Sequence, residues 1–197
     1  MVRGSLIAVA VLLAGAAIAA PAPQGGGQAG GMTMLTDGTK MDNFDQAGNA
    51  NWHTAERTIT ADRGNGFLVT KQSYQDFRLR AEVWVDDIAN SGIFIRCDGP
   101  ALNIGGGNCY EVNIFDTRPD PSYGTGAIVN VAKVNPMPKA GLNWNVMEIE
   151  AKGDQMTIKL NGKQTVVGHD AKHARGRIGF QYGGGVVRWR KIEIQPL

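Results

Sequence analysis

Three polar residues, Arg96, Glu111 and Asn113, interrupt two short apolar stretches and are the first candidates for chemistry. A carboxylate can act as a general base or acid, and a guanidinium can stabilise negative charge that develops on oxygen. Both stretches, residues 90–97 and 109–116, alternate apolar and polar side chains with the period of two that is typical of strands. If their apolar faces pack together, we expect the three polar side chains to project from the opposite face.

The loop that joins the two stretches, residues 98–108, is rich in glycine, which predicts a long-looped hairpin. Cys97 and Cys109 stand at the inner ends of its two strands. In an oxidising compartment we expect them to form a disulfide; two reduced thiols are the alternative. Such a bridge would stabilise the fold by about 3 kcal/mol and would hold the strands of Arg96 and Glu111 in register.

Short alternating runs recur along the chain between Gly, Asn, Asp and Pro, and none has a sustained helical period. Residues 77–85 form the clearest strand, and Asn161-Gly162 is a type I′ hairpin signal. Residues 117–141 contain four prolines and predict a functional loop or lid. This pattern predicts an all-β jelly-roll sandwich of two antiparallel sheets, with an up-and-down barrel as the alternative. The other predicted strands are residues 58–60, 66–70, 144–151, 155–160, 164–167, 177–181 and 186–194.

The amino terminus predicts export. Arg3, the apolar residues 6–13 and the Ala-Ile-Ala at 17–19 have the pattern of a signal peptide over residues 1–19, with a retained anchor as the alternative. Residues 20–31 are Gly, Pro, Ala and Gln and predict a flexible linker. Residues 32–197 then fit one β-sandwich domain in the periplasm or outside the cell.

The charge pattern excludes several classes of function. Twenty basic and 18 acidic side chains are interspersed, giving a net charge of +2, which speaks against a nucleic-acid partner. Zinc-type Cys/His spacing and a phosphate-binding Gly-Lys-Ser/Thr loop are both missing from the sequence. His53, His169 and His173 fall in polar loops, where we expect them to be solvated. We therefore expect no metal, no cofactor and no stable membrane insertion.

Several motifs, taken in order, resemble the 3-keto-disaccharide hydrolase domain family, whose fold is a concanavalin A-like lectin/glucanase jelly roll. The sequence departs from the family where Asn113 replaces a Gln and Val129 an aromatic residue. It also has Gln181-Tyr182-Gly183-Gly184 where the family has Gln-x-His-Gly. The matching motifs are YQDF at 74–77, NSGIFIR at 90–96, YEVNIFD at 110–116, TGAI at 125–128, WN at 144–145, LNG at 160–162, GRIGFQ at 176–181 and WRKI at 189–192.

This resemblance implies a hydrolase that cleaves 3-keto-glycosides or 3-keto-disaccharides by elimination and hydration, with a small carbohydrate as its substrate. In that reaction Glu111 would be the base or acid, Arg96 the stabiliser of the enolate, and Gln181 with Asn113 the donors that orient sugar hydroxyls. A structural ion pair between Arg96 and Glu111 is the alternative for those two residues. For the whole protein, the alternatives are a non-catalytic carbohydrate-binding module that has lost its active site and a structural surface domain.

Further side chains could complete a sugar cleft. Trp84 could stack on a sugar ring or pack at the surface, Tyr123 could line a pocket or cap the core, and Arg190 could face the cleft or solvent. The other three tryptophans, at 52, 144 and 189, are expected in the core. A retaining glucanase would need a second carboxylate near Glu111, and the strand does not supply one on that face.

Overall fold

Two antiparallel β-sheets face each other across an apolar core in this computed structural model, which describes Met1 and residues 31–100, 102–105 and 107–197. The predicted signal peptide and nearly all of the predicted linker lie outside the described residues. The strands are β1 (Thr33–Thr36), β2 (Phe44–Gly48), β3 (His53–Ala55), β4 (Thr58–Ala61), β5 (Gly66–Thr70), β6 (Phe77–Val85), β7 (Ser91–Cys97), β8 (Tyr110–Ile114), β9 (Trp144–Lys152), β10 (Gln155–Leu160), β11 (Lys163–His169), β12 (Arg177–Tyr182) and β13 (Val187–Pro196).

The larger sheet has eight strands, in the order β11-β10-β9-β6-β13-β4-β3, with β1 paired to β13. The smaller sheet has five, in the order β2-β5-β12-β7-β8. This arrangement confirms the predicted jelly-roll sandwich. In the described part of the chain, the single helical element is a 3-10 turn at Pro121–Tyr123, and no helix is long and apolar enough to cross a membrane.

Strands β1, β2 and β3 were not predicted, and the last two have little of the strand pattern in their sequences. β2 reads Phe-Asp-Gln-Ala-Gly, with two polar residues and a terminal glycine, and every residue of β3 is exposed. Neither segment has the run of β-branched residues that marks a strand. Both lie at sheet edges, where pairing with a neighbour and not side-chain pattern decides the structure.

The core lies between the sheets, where the inward side chains of every long strand meet. Trp189 of β13 and Phe180 of β12 come from opposite sheets, and their rings meet edge to face with centroids 5.2 Å apart. Trp52 and Trp189 are buried, as predicted. The prediction for Trp144 is wrong, because this side chain is 37% exposed on the outside of the larger sheet.

Strands β7 and β8 form the predicted hairpin, and the disulfide between Cys97 and Cys109 closes its loop. A bulge interrupts β7 where it pairs with β12, and Arg96 there has a φ of 52°. Because a bulge breaks the alternation of a strand, Phe94 and Cys97 both face outward while Arg96 turns away from them. Ile104 of the loop packs against Phe94 on the outer face of the smaller sheet.

The segment after β8 stays beside it. The amide of Val129 donates to the carbonyl of Glu111, and Ile128 forms an isolated bridge with Val112. Asp116 fixes this segment, because its carboxylate accepts hydrogen bonds from the Thr125 hydroxyl and from the backbone amides of residues 140 and 141. Asp116 therefore has a hydrogen-bonding role at the start of the segment that follows β8.

Candidate active site on the outer face of the smaller sheet

Gln181, Gly92 and Asn113 form one row across β12, β7 and β8 on the outer face of the smaller sheet. Register pairs Gly92 directly with Asn113, and the β12–β7 register continues to place Gln181 opposite Gly92. Glycine inside a strand often marks a close approach of another group. Because Gly92 has no side chain, the surface between the amide side chains of Gln181 and Asn113 is shallow, and we call this surface the glycine floor. A glycine in the middle of an alternating strand pattern is the sequence feature that indicates this site.

The side chain of Glu111 extends over the glycine floor. It pairs with Phe94 in the next row, and its Cγ lies 3.6 Å from the position that a Cβ on residue 92 would occupy. Burial raises the pKa of the Glu111 carboxyl above its ordinary value, and the positive charge of Arg118 partly opposes this shift. Glu111 is therefore a carboxyl in a site that disfavours its charge, as expected for a general base or acid.

Two buried amide oxygens flank Glu111 without a partner among the described residues: Asn113 Oδ1 and Gln181 Oε1. The amide nitrogen of Asn113 donates to the carbonyl of Tyr123 at 2.7 Å, which fixes the orientation of its side chain. Buried polar atoms are nearly always hydrogen-bonded, so these two oxygens are suited to accept bonds from a ligand. One of the two N–H donors of Asn113 is used in this bond, and its free oxygen adds an acceptor to the donor role that was expected.

A cavity of about 140 Å³ adjoins the candidate site at the edge of β8. Glu111 lines it together with the loop residues that follow the TGAI motif and with the segment before β12. None of these loop positions could be assigned from strand periodicity, because they approach Glu111 through tertiary contacts. The lining residues outside β8 are Val129, Asn130, Val131, Asp170, Lys172 and His173, with Cys109 and Tyr110 completing the wall.

Arg96 is not part of this arrangement. Its guanidinium is 1% exposed and donates to Asp76 Oδ1 at 3.0 Å and to the carbonyls of Gln75 and Gly153 at 2.8 and 2.6 Å. These bonds tie the end of β7 to the entry of β6 and to the β9–β10 turn. The expectation that Arg96 and Glu111 face one cleft, or pair with each other, is corrected by this geometry. The bulge in β7 is the physical reason.

Trp84 and Arg190 also lie outside the candidate active site. Both project from the outer face of the larger sheet, so the whole sandwich separates them from Gln181 and Glu111. The expectation that they line the same cleft as Glu111 is corrected. Tyr123 lies close to the site through its backbone carbonyl, while its ring is packed against the core with the Lys133 ammonium 5.3 Å from the ring centroid.

His173 differs from its predicted solvated state. It is buried, its Nδ1 lies 2.7 Å from Asp98 Oδ2, and its ring packs edge to face on Tyr110. The pairing could not be read from spacing, since 75 positions separate the two residues. Across the described residues, no group of three or more His, Cys, Asp or Glu side chains is placed to hold a metal ion.

Residues 31–195 match the family of 3-keto-alpha-glucoside-1,2-lyase-like domains, over most of the chain. The chain belongs to this family. The resemblance inferred from the sequence motifs is thereby confirmed, and with it membership of a carbohydrate-active, glycoside hydrolase-like group. No curated protein sequence matches the chain.

Solved structures share the fold at low sequence identity. A proposed glycosyl hydrolase from Parabacteroides distasonis ATCC 8503 has a TM-score of 0.76 at 16% identity, over 85% of this chain and 94% of that one. A second from the same organism has a TM-score of 0.70 at 22% identity, over 85% and 100%. Carbohydrate-binding module CBM66 from Bacillus subtilis has a TM-score of 0.60 at 16% identity, over 78% and 95%. At such identities the likeness extends to the fold alone.

Proposed function

We propose that this protein cleaves 3-keto-glycosides by elimination followed by hydration, with Glu111 as the acid–base group. The observation that carries the proposal is the half-buried Glu111 carboxyl, which extends over Gly92 between two side chains whose amide oxygens have no partner among the described residues. Membership of a family of lyase-like domains for 3-keto-glucosides supports the same chemistry. Asn113 and Gln181 accept hydrogen bonds from sugar hydroxyls and so fix the ring relative to the carboxylate.

The reaction begins when the Glu111 carboxylate removes the proton at C2, which the neighbouring C3 ketone acidifies. Electrons from the C2–H bond pass to the ketone oxygen as an enolate. As the enolate collapses, the bond from C1 to the leaving oxygen breaks and a C1=C2 double bond forms. The proton held by Glu111 then passes to the leaving oxygen, and the aglycone departs as an alcohol.

Hydration completes the reaction. Water adds to C1 of the unsaturated ketone with Glu111 accepting a proton from it, and the same proton then returns to C2, so that the overall change is hydrolysis.

Arg118 is the cation whose charge acts on Glu111, and we assign to it the enolate-stabilising role first expected of Arg96. Arg118 follows β8 in an irregular segment, so periodicity could not identify it.

The site does not fit direct hydrolysis of an unmodified glycoside. A retaining enzyme needs two carboxyl groups about 5–5.5 Å apart. Asp116, the next carboxylate along the chain, already accepts hydrogen bonds from Thr125 and from two backbone amides. Asp170, which lines the same cavity as Glu111, already accepts hydrogen bonds from the Tyr110 hydroxyl and the Lys172 amide. One free carboxyl is enough for proton transfer at an acidified carbon, because the same group can remove the proton and later return it.

The proposal is tested by incubating the purified protein with a 3-keto-disaccharide and with the same disaccharide before oxidation, and following release of the free sugar. We expect release from the ketone alone. In Glu111→Gln the rate should fall by about 10²-fold or more, because general acid–base catalysis commonly contributes that much. Arg63→Gln, a change of one exposed loop residue, is the matched control and should keep the wild-type rate.

Two results would contradict the proposal. Equal turnover by Glu111→Gln would remove Glu111 from the reaction, and binding of the 3-keto sugar without release would identify a carbohydrate-binding module. We also propose that the protein works outside the cytoplasm, in the periplasm or the extracellular space. The Cys97–Cys109 disulfide supports this location, since such bonds persist in oxidising compartments.

A further inference from the structure

The outer face of the larger sheet carries two tryptophans that the proposed reaction does not use. Trp84 of β6 and Trp144 of β9 are directly paired in register, so their side chains are neighbours on one face. Trp144 is 37% exposed and Trp84 is half-buried. Large aromatic side chains are usually covered in a β-sandwich, so an exposed pair on a sheet face suggests a surface that binds something.

An arginine is stacked on each of these indoles. The Arg188 guanidinium carbon lies 4.8 Å from the ring centroid of Trp84, and that of Arg190 lies 3.9 Å from the ring centroid of Trp144. Stacking uses the flat face of a guanidinium and leaves the N–H donors at its edge free to bond. Each Arg–Trp pair therefore offers an aromatic plane beside a planar set of donors.

Among the residues that the structure describes, the side-chain donors of Arg188 have no hydrogen-bond acceptor. Arg188 is exposed, and no carboxylate pairs with it in the described part of the chain. Arg190 donates through Nε to Glu82 Oε2 at 2.7 Å, which anchors the side chain while its terminal nitrogens have no acceptor among the described residues. A fixed guanidinium loses little conformational freedom when it binds a planar anion with two parallel hydrogen bonds.

The cluster is also electropositive. Glu82 is surrounded by three cations, with Arg190, Lys191 and Arg80 each within 3.5 Å. A bulge in β13 brings Lys191 to the same face as Arg190. The cations Arg80, Arg188, Arg190 and Lys191 outnumber the carboxylates Glu82 and Glu193, so the cluster carries a net charge of +2.

We propose that Trp84, Trp144, Arg188 and Arg190 form a second binding site, for an acidic glycan whose sugar units carry carboxylates. The apolar C–H face of a pyranose packs on an indole, and the guanidinium edge beside it matches a carboxylate bidentately. A neutral glycan would leave the positive charge uncompensated, and an acidic peptide would leave the indole planes without a partner. The site lies on the opposite face of the sandwich from Glu111 and does not depend on the proposed reaction.

Such a site would attach the protein to a uronic-acid polymer while Glu111 faces away from it. A groove of about 590 Å³ continues along the same face, with Arg78, Arg80, Glu148 and Lys159 among its lining residues. Arg80 and Trp84 are four residues apart on β6, a span of about 13 Å, so the groove and the tryptophans can be covered by one extended oligosaccharide.

The test is titration of the full chain with a galacturonate hexamer, followed by calorimetry and by tryptophan fluorescence. Two other ligands, a neutral glucose hexamer and poly-glutamate, serve as comparisons, and the galacturonate hexamer is also titrated in high salt. We expect the galacturonate hexamer to bind at least about tenfold more tightly than either comparison ligand and more weakly in high salt. Trp144→Ala and Arg188→Gln should each weaken binding by about tenfold, because they remove the stacking plane and the bidentate donor.

Arg175→Gln is the matched control, because Arg175 is an exposed arginine whose one hydrogen bond is to the carbonyl of Ser73. It should bind like the wild type, and so should Glu111→Gln, which separates this site from the catalytic proposal. Trp144 and Arg188 are both exposed, so their variants should fold. Absence of binding, equal binding of poly-glutamate or of the neutral hexamer, or unchanged binding by both variants would each overturn the proposal.

Discussion

The buried Arg96 guanidinium forms an ion pair with the partly exposed Asp76, with Nη2 and Oδ1 3.0 Å apart, and this pair joins the end of β7 to the start of β6 in the opposite sheet. Arg96 also donates to two backbone carbonyls, so its side chain is bonded on three sides. Replacing Arg96 leaves these acceptors without their donor, and a lost hydrogen bond to a charged group commonly costs about 1.5–3 kcal/mol. We expect Arg96→Met to lower the free energy of unfolding by about that amount, as measured by urea denaturation.

Activity then distinguishes a structural role from a catalytic one. Under conditions in which the Arg96→Met variant is folded, it should turn over 3-keto substrate at nearly the wild-type rate per folded molecule. Loss of a transition-state donor would instead lower the rate by about 10²–10³-fold. Arg57→Gln is the stability control, because its ion pair with Asp37 is exposed and should contribute less than about 1 kcal/mol.

The pKa of Glu111 also predicts how stability depends on pH. Burial raises this pKa in the folded protein, so the folded state holds the proton more tightly than the unfolded state does. The stabilising effect of protonation is complete below the ordinary glutamate pKa of 4.5 and is lost as the pH rises through the folded-state value. Glu111→Gln stays neutral at every pH and should therefore melt at a higher temperature than the wild type at pH 7.

This gain should shrink as the pH falls through the raised folded-state pKa and should be nearly gone below 4.5, where the wild-type carboxyl is protonated in both states. Thermal unfolding of both proteins from pH 3.5 to 8 measures the difference. Glu56→Gln, a change of an exposed carboxyl in the turn after β3, is the matched control and should show no such trend. A difference in melting temperature that is constant over pH would contradict the assigned pKa shift.

Gly92→Ala tests the glycine floor. The new methyl group would lie 3.0 Å from the carbonyl of Val112 and 3.6 Å from Glu111 Cγ, so it would occupy the space between the two amide side chains. We expect a modest loss of stability, of about 1 kcal/mol, because the neighbouring backbone carbonyl of Val112 must move by a few tenths of an ångström to admit the methyl group. The larger effect should be weaker substrate binding, seen as a raised KM.

Gly105→Ala is the matched control, since nothing lies within 4 Å of the position where its Cβ would be placed. It should leave both KM and stability near the wild-type values. If Gly92→Ala instead keeps a wild-type KM, the floor between Gln181 and Asn113 is not where the sugar binds.

The disulfide predicts a measurable contribution to stability. Cys97 and Cys109 are 12 positions apart, and a loop of that size is worth about 3 kcal/mol by loss of chain entropy in the unfolded state. We expect the double variant Cys97→Ser/Cys109→Ser to lose about that free energy of unfolding. Reductant should lower the stability of the wild type to a similar level and should not affect the variant, which has no cysteine left.

The sequence alone determined the type of fold. For most residues it also determined on which side of the strand the side chain lies. Alternation along residues 77–85 separated Leu79 and Val83 from Arg80 and Trp84, and the structure confirms that division. The cysteine pair and the hairpin that it closes were also predicted, because both depend on local spacing. The edge strands β2 and β3 escaped prediction because their own side chains carry little of that pattern.

Tertiary structure decided which residues share a site. Alternation places a side chain on one side of its strand, but long-range pairing decides which sheet the strand joins and therefore which outer face the side chain reaches. Trp84 and Gln181 both point outward from their strands, yet they end on opposite sides of the sandwich. Likewise, a single bulge in β7 turned Arg96 from the candidate cleft into an ion pair with Asp76, because one extra residue reverses the face of a strand.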